Sequence, residues 1–161
     1  MFVLYLDTSA FIKRFKREAG SKAVRGLFRL VEKSPGRMVL ATSDWTINES
    51  LSAIRRWRLT EFELRNDAGA LLAEVGRCTV LNILRFVPVT PDLCEESREL
   101  IVDYRLSAGD ALQLHSARVT HCDAFLSADE KLLTVSRDAG LTAINVRKPA
   151  ELHHLRIRLG N

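Results

Sequence analysis

With 161 residues, 47% hydrophobic and 27% charged, the chain has the size and mixture expected of one compact domain spanning 1–161 with a sizeable core. It contains no run of about 20 apolar residues, which excludes a membrane-spanning helix, and its apolar N-terminus lacks the basic region and length of a secretory signal, so the expected location is the cytoplasm. A net charge of +4 and a pI near 9.2, carried mostly by arginine, suit a polyanionic partner, although genomic base composition also raises arginine.

Phe2-Val3-Leu4-Tyr5-Leu6 is continuously apolar and predicts a strand covered on both faces. Further strands are expected at 38–41, 86–89, 124–126 and 142–146. Helical patterns lie near 9–16, 19–33, 46–58, 60–84, 92–104, 107–120 and 128–138. Within 46–58, Ile47, Leu51, Ile54 and Arg58 share one stripe, with Trp57 beside it. Strands separated by helices imply crossover connections, so the fold expected is a three-layer α/β sandwich around a mainly parallel sheet of about five strands. The last segment, 146–161, reads as a basic tail. Cys78, Cys94 and Cys122 are odd in number and far apart, which suggests neither a zinc site nor a disulfide framework.

In parallel sheets, ligands bind beyond the carboxyl ends of the strands. Four acids sit at or near a helix N-terminus, two of them (Asp7 and Asp129) closely after strands, and each also has an ordinary explanation. Asp7 directly follows the first strand and suits a helix N-cap. Glu49 completes a T-x-x-E capping box with Thr46 and falls away from the apolar stripe, as a solvated residue would. Asp110 completes an S-x-x-acid pattern with Ser107, but it begins a helix that is apolar almost all round. A carboxylate there needs a cation or donors. Asp129 follows the strand at 124–126, where Ser127 and Glu130 again suggest a capping box. Gathered on one sheet edge, the four would repel one another unless some were protonated or a hard divalent cation joined them. Whether they converge is beyond the spacing alone.

The chain resembles the PIN-domain family, and within it the VapC-type toxins. The residues that carry the resemblance are Leu6-Asp7-Thr8-Ser9-Ala10 with Lys13, Glu49-Ser50-Leu51-Ser52-Ala53-Ile54-Arg55, Leu106-Ser107-Ala108-Gly109-Asp110-Ala111-Leu112, and Phe125-Leu126-Ser127-Ala128-Asp129-Glu130-Lys131-Leu132. Each motif is weak alone, but in order they run over residues 2–146. The resemblance implies a catalytic tetrad of Asp7, Glu49, Asp110 and Asp129, supported by the hydroxyls of Ser9 and Ser127. It implies one or two Mg²⁺ or Mn²⁺ ions held by Asp7, Asp110 and Asp129, activating water for in-line attack on an RNA phosphodiester. Glu49 would position water or complete the outer coordination. A cognate antitoxin and a homodimer are the partners that the family implies. Ser127 replaces the family's more usual threonine, and Ala108-Gly109 replaces a frequent polar residue, which bears on substrate preference.

Lys13, Arg14, Arg55 and Arg56 are candidates to line an RNA track, against the reading of solvated helix ends, and Trp57 is a candidate stacking residue against a packing one. Phe11, Ile12 and Phe15 form an apolar stripe that is either core or part of an antitoxin groove. His153-His154 lacks metal-ligand spacing, His115 and His121 read as structural, and the basic tail is a candidate contact with RNA or a second subunit. Two alternatives to a toxin remain: a PIN nuclease that processes RNA without an antitoxin, and a non-catalytic RNA-binding or interaction module. A haloacid-dehalogenase phosphatase needs an acid where this chain has Ser9, which excludes it.

Overall fold

A computed structural model describes residues 1–57, 59–148, 150–152 and 155. Five strands, β1 (Phe2–Leu6), β2 (Met38–Ser43), β3 (Leu84–Val87), β4 (Ala124–Ser127) and β5 (Ala143–Asn145), form one sheet. Their order is β3-β2-β1-β4-β5 and every pairing is parallel. The expected α/β sandwich is therefore present. The chain first builds outward from β1 to β2 and β3, then crosses to the other side of β1 for β4 and β5. That reversal opens a crevice beyond the carboxyl ends of β1 and β4.

Alternation along the strands divides the core. Leu4, Leu6, Leu40, Leu84, Ala124 and Leu126 pack on one face with Phe11, Val24, Phe28, Ile54 and Leu71. The helices there are α1 (Thr8–Phe11), α2 (Ser21–Glu32), α3 (Trp45–Arg55) and α4 (Glu61–Val80). Tyr5, Ala41 and Phe125 face the opposite way, against Leu93, Leu100, Ala111, Leu114 and Leu133. Those residues come from α5 (Pro91–Glu96), α6 (Arg98–Tyr104), α7 (Ala108–Val119) and α8 (Glu130–Asp138). The strands read as unbroken apolar runs because both faces are covered.

Several expected boundaries move, each for a local reason. The helix expected over 60–84 ends at Val80, because Asn82 adopts φ +54° and a positive φ terminates a helix. Strand β3 consequently occupies 84–87 rather than 86–89, leaving Pro88, which has no N–H to donate, outside the ladder. The helix expected over 92–104 divides at Ser97, and that over 9–16 is four α residues followed by a 3₁₀ turn, Ile12–Arg14. Leu152 and Leu155 of the basic tail are buried in the first core, so this part of the tail belongs to the domain. Arg58, His153, His154, Arg156 and Arg158 lie outside the described residues. Among the described residues no helix is long and apolar enough to cross a membrane.

Candidate active site

Asp7 leaves β1 at the crevice, and its side chain caps α1 by accepting the Ala10 N–H at 2.7 Å. It is 3% exposed. The Ser127 hydroxyl donates to its Oδ2 at 2.8 Å, and the Ser9 hydroxyl lies 2.9 Å from both carboxylate oxygens. Both hydroxyls are aimed by the β4–α8 turn. Ser9 Oγ accepts the Ala128 N–H at 2.7 Å and Ser127 Oγ accepts the Asp129 N–H at 2.9 Å. With their oxygens occupied by backbone donors, the hydroxyl protons point at Asp7. The resemblance implies supporting hydroxyls at Ser9 and Ser127 without pairing Ser127 to a particular acid; both meet Asp7, and the same turn carries Asp129.

Burial nevertheless dominates at Asp7 and pushes its carboxyl up to about 7. The Ser127, Ala10 and Ser9 hydrogen bonds oppose that rise, while repulsion from Asp110 adds to it. No cationic side chain among the described residues pairs with Asp7, Glu49, Asp110 or Asp129. A desolvated carboxylate without a counter-charge is the condition that a divalent cation relieves.

Glu49 departs from the capping role that its T-x-x-E spacing suggests. Thr46 lies inside α3, whose N-cap is Asp44. The Glu49 carboxylate instead turns across to α1 and α7, where its Oε2 accepts from the Thr8 hydroxyl and from Gln113 Nε2 at 3.0 Å. Gln113 is 2% exposed. Its Oε1 accepts the Tyr5 hydroxyl at 2.8 Å, which turns its amide N–H groups toward Thr8, Thr46 and Glu49. Sequence reasoning missed Gln113. The signal was available: it is a long polar residue one turn after Asp110, within a helix that reads as apolar almost all round. Glu49 Oε1, by contrast, has no hydrogen-bond partner among the described residues and lies against Gly109. A methyl group at Gly109 would come within 2.6 Å of it. Glycine at this position therefore lets the Glu49 carboxylate reach the start of α7.

Asp110 stands in the first turn of α7. Its N–H donates to the N-cap Ser107 at 3.1 Å, and the Ser107 hydroxyl donates to its Oδ2 at 2.7 Å. Asp129 is exposed and is itself the N-cap of α8, accepting the Leu132 N–H at 2.9 Å. The capping box expected from Ser127 to Glu130 is absent; Glu130 accepts from Asn145 instead. The four acids thus border one crevice without closing on a common point. Among the described residues, no group of three or more His, Cys, Asp or Glu could hold a metal in this arrangement. The donor set is all oxygen, which suits Mg²⁺ or Mn²⁺ rather than softer metals.

The candidate RNA-track residues divide. Lys13 is 1% exposed and bonds Glu18 at 2.6 Å, and Arg14 bonds Glu74 at 2.6 Å over the Phe28 ring. Neither is presented to a ligand, because internal acids already hold them. Arg55 and Arg56 are exposed without an ion-pair partner among the described residues. Phe11 and Ile12 are buried in the core, so they do not line a partner groove. Trp57 is half-buried and packs against the core, with Lys16 over its ring at 5.3 Å.

The fold resembles several solved structures. VapC20 of Mycobacterium tuberculosis, described as a sarcin–ricin loop cleaving toxin, is 20% identical with a TM-score of 0.65, covering 86% of this chain and 96% of that one. VapBC2 of Rickettsia felis, solved with a promoter DNA fragment, is 12% identical with a TM-score of 0.59, covering 89% and 98%. FitAcB of Neisseria gonorrhoeae is 14% identical with a TM-score of 0.57, covering 89% and 97%. No curated protein sequence matches the chain. The PIN domain family profile matches residues 4–138, from the middle of β1 to the end of α8, and on that match the chain belongs to the PIN domain family.

Proposed function

We propose that this chain is a Mg²⁺- or Mn²⁺-dependent endoribonuclease and the toxin of a type II toxin–antitoxin pair. The observation that carries the reading is Asp7. It is a buried carboxylate at the strand-order reversal, supplied only with neutral donors and bordered by three further acids. Asp7, Asp110 and Asp129 would supply oxygen ligands, for which Asp110 and Asp129 would have to turn inward from their capping hydrogen bonds. A bound divalent ion would supply a Lewis acid that lowers the pKa of water and offsets charge on the phosphate. Glu49, held through Oε2, would align water through its other oxygen. Ser9 and Ser127 would hold Asp7, and Arg55 and Arg56 would engage the RNA backbone.

The toxin assignment draws support from likeness to a sarcin–ricin loop cleaving toxin and to toxin–antitoxin assemblies. It carries with it a cognate antitoxin, a homodimer and a cytoplasmic site of action. The test is cleavage of total RNA by wild-type protein beside Asp7→Asn and Asp110→Asn, with Mn²⁺, Mg²⁺ or EDTA. Discrete fragments that vanish with EDTA and in both variants are expected. Cleavage that persists in both variants would remove the acids from the mechanism.

A further inference from the structure

Next to the acids, a half-open pocket of about 190 Å³ is lined by Thr8, Trp45, Asn48, Glu49, Ser52 and Arg56. We propose that it is a nucleobase subsite, which takes the base of a nucleotide adjoining the scissile phosphate and selects it by the edge presented to Asn48 and Ser52. The proposal rests on the nuclease reading and adds to it a source of sequence preference.

The pocket is built on one stripe of α3. Trp45, Asn48, Glu49, Ser52 and Arg56 recur at three- and four-residue intervals, so they share a helix face, while Thr46, Ser50 and Ile54 turn inward and are buried. The acid end is fixed, because Thr8 donates to Glu49 and Gln113 donates to both. This end adjoins Asp7 through Thr8, so a strand whose phosphate lies at the acids places a neighbouring base here. The volume admits a single ring system and not a length of chain.

The wall chemistry matches a base more closely than other ligands of this size. Trp45 is 39% exposed, a large aromatic surface left to water beside an otherwise charged site, and bases stack on such surfaces whatever their sequence. Asn48 and Ser52 are exposed, and among the described residues their side chains make no hydrogen bonds. An asparagine amide offers a donor and an acceptor side by side, the pattern that pairs with a base edge. Charge is graded along the pocket. The Glu49 carboxylate at one end disfavours a phosphate, whereas the Arg56 guanidinium at the other has no ion-pair partner among the described residues and suits one. A neutral base against Glu49, Asn48 and Ser52, with the following phosphate toward Arg56, satisfies both ends.

The test uses full-length Asp7→Asn protein, which separates binding from cleavage, with Trp57→Phe added so that Trp45 is the sole tryptophan. Fluorescein-labelled single-stranded RNA decamers, each a homopolymer of A, C or U, are titrated while anisotropy and Trp45 emission are followed, with circular dichroism as the check on folding. RNA binding should quench Trp45 and differ among the three decamers. Asn48→Ala or Ser52→Ala should weaken the preferred decamer about 5- to 100-fold and flatten the ranking. Arg56→Gln should weaken all three alike and lower the salt slope by about one. In otherwise wild-type protein, Asn48→Ala should relax the base preference beside the cut. RNA binding that leaves Trp45 emission unchanged, or a ranking unaltered in folded Asn48→Ala and Ser52→Ala, overturns the subsite alone. Trp45 responding to a partner peptide but to no RNA assigns the pocket to protein binding and overturns it too. Absence of binding to every decamer while wild type still cuts total RNA overturns the subsite alone, and absence of both binding and cutting sinks the nuclease reading with it.

Discussion

The two best-structured acids of the crevice are held in contrasting ways. Asp7 lies in the seam between β1 and β4, nearly inaccessible, with hydroxyl and backbone donors that do not offset its loss of water. Glu49 lies between α1, α3 and α7, half-buried, with one oxygen fixed by Thr8 and Gln113 and the other lacking a partner among the described residues. The difference separates two ways of preparing a carboxylate. Burial at Asp7 creates a demand for positive charge, whereas hydrogen bonding at Glu49 fixes direction.

The contrast breaks most completely at Asp7. Asp7→Asn keeps the cap, since asparagine is an equally good N-cap, but removes the charge. RNA cleavage should fall by more than about 100-fold, beyond the range seen when a ligand's hydrogen-bonding neighbour is lost. Mn²⁺ should raise the melting temperature of wild type and not of the variant. A variant that cleaves normally would show that Asp7 only caps α1.

The demand for charge should also be visible as stability without metal. Above about pH 7 the folded chain holds an ionised, desolvated Asp7 that the unfolded chain solvates freely. Between the ordinary carboxylate range and about 7, the folded state binds a proton that the unfolded state has released, so stability falls as pH rises through that window. In EDTA at pH 8, Asp7→Asn should therefore unfold about 2–4 kcal/mol less readily than wild type. The gap should close near pH 4. Denaturant titrations across pH measure it, and a gap independent of pH would contradict the role of burial.

At Glu49 the expected effects are smaller. Gln113→Leu fills the same space without donors and should reduce cleavage about 10- to 100-fold. The same change in a Glu49→Ala background should add almost nothing, and an additive loss there would mean that Gln113 acts only on the fold. Gly109→Ala should cost least, a few-fold, because the flexible end of Glu49 can move away from the new methyl group. Equal melting temperatures with lower cleavage rates would distinguish that movement from a packing defect.

The sequence by itself determined the class of fold and the order of the parts. Unbroken apolar strands such as 2–6 and 124–126 can only sit inside a covered parallel sheet, and acids that follow them must emerge at one edge. Ser9 was legible beside Asp7, and Ser127 as a supporting hydroxyl, through the family pattern, but that Ser127 reaches Asp7 was not. Local spacing misled where a capping signal was a coincidence, as with Thr46 and Glu49, and where charge suggested solvent, as with Lys13 and Arg14. Only the tertiary structure decided that Glu18 and Glu74 neutralise those two cations, that Gln113 links Tyr5 to Glu49, and that Gly109 leaves room for the Glu49 carboxylate. Except for Lys13 and Glu18, which a local turn brings together, each of these depends on side chains from elements far apart in sequence, and a chain read in one dimension carries periodicity and caps but not the partner that burial brings across from another helix.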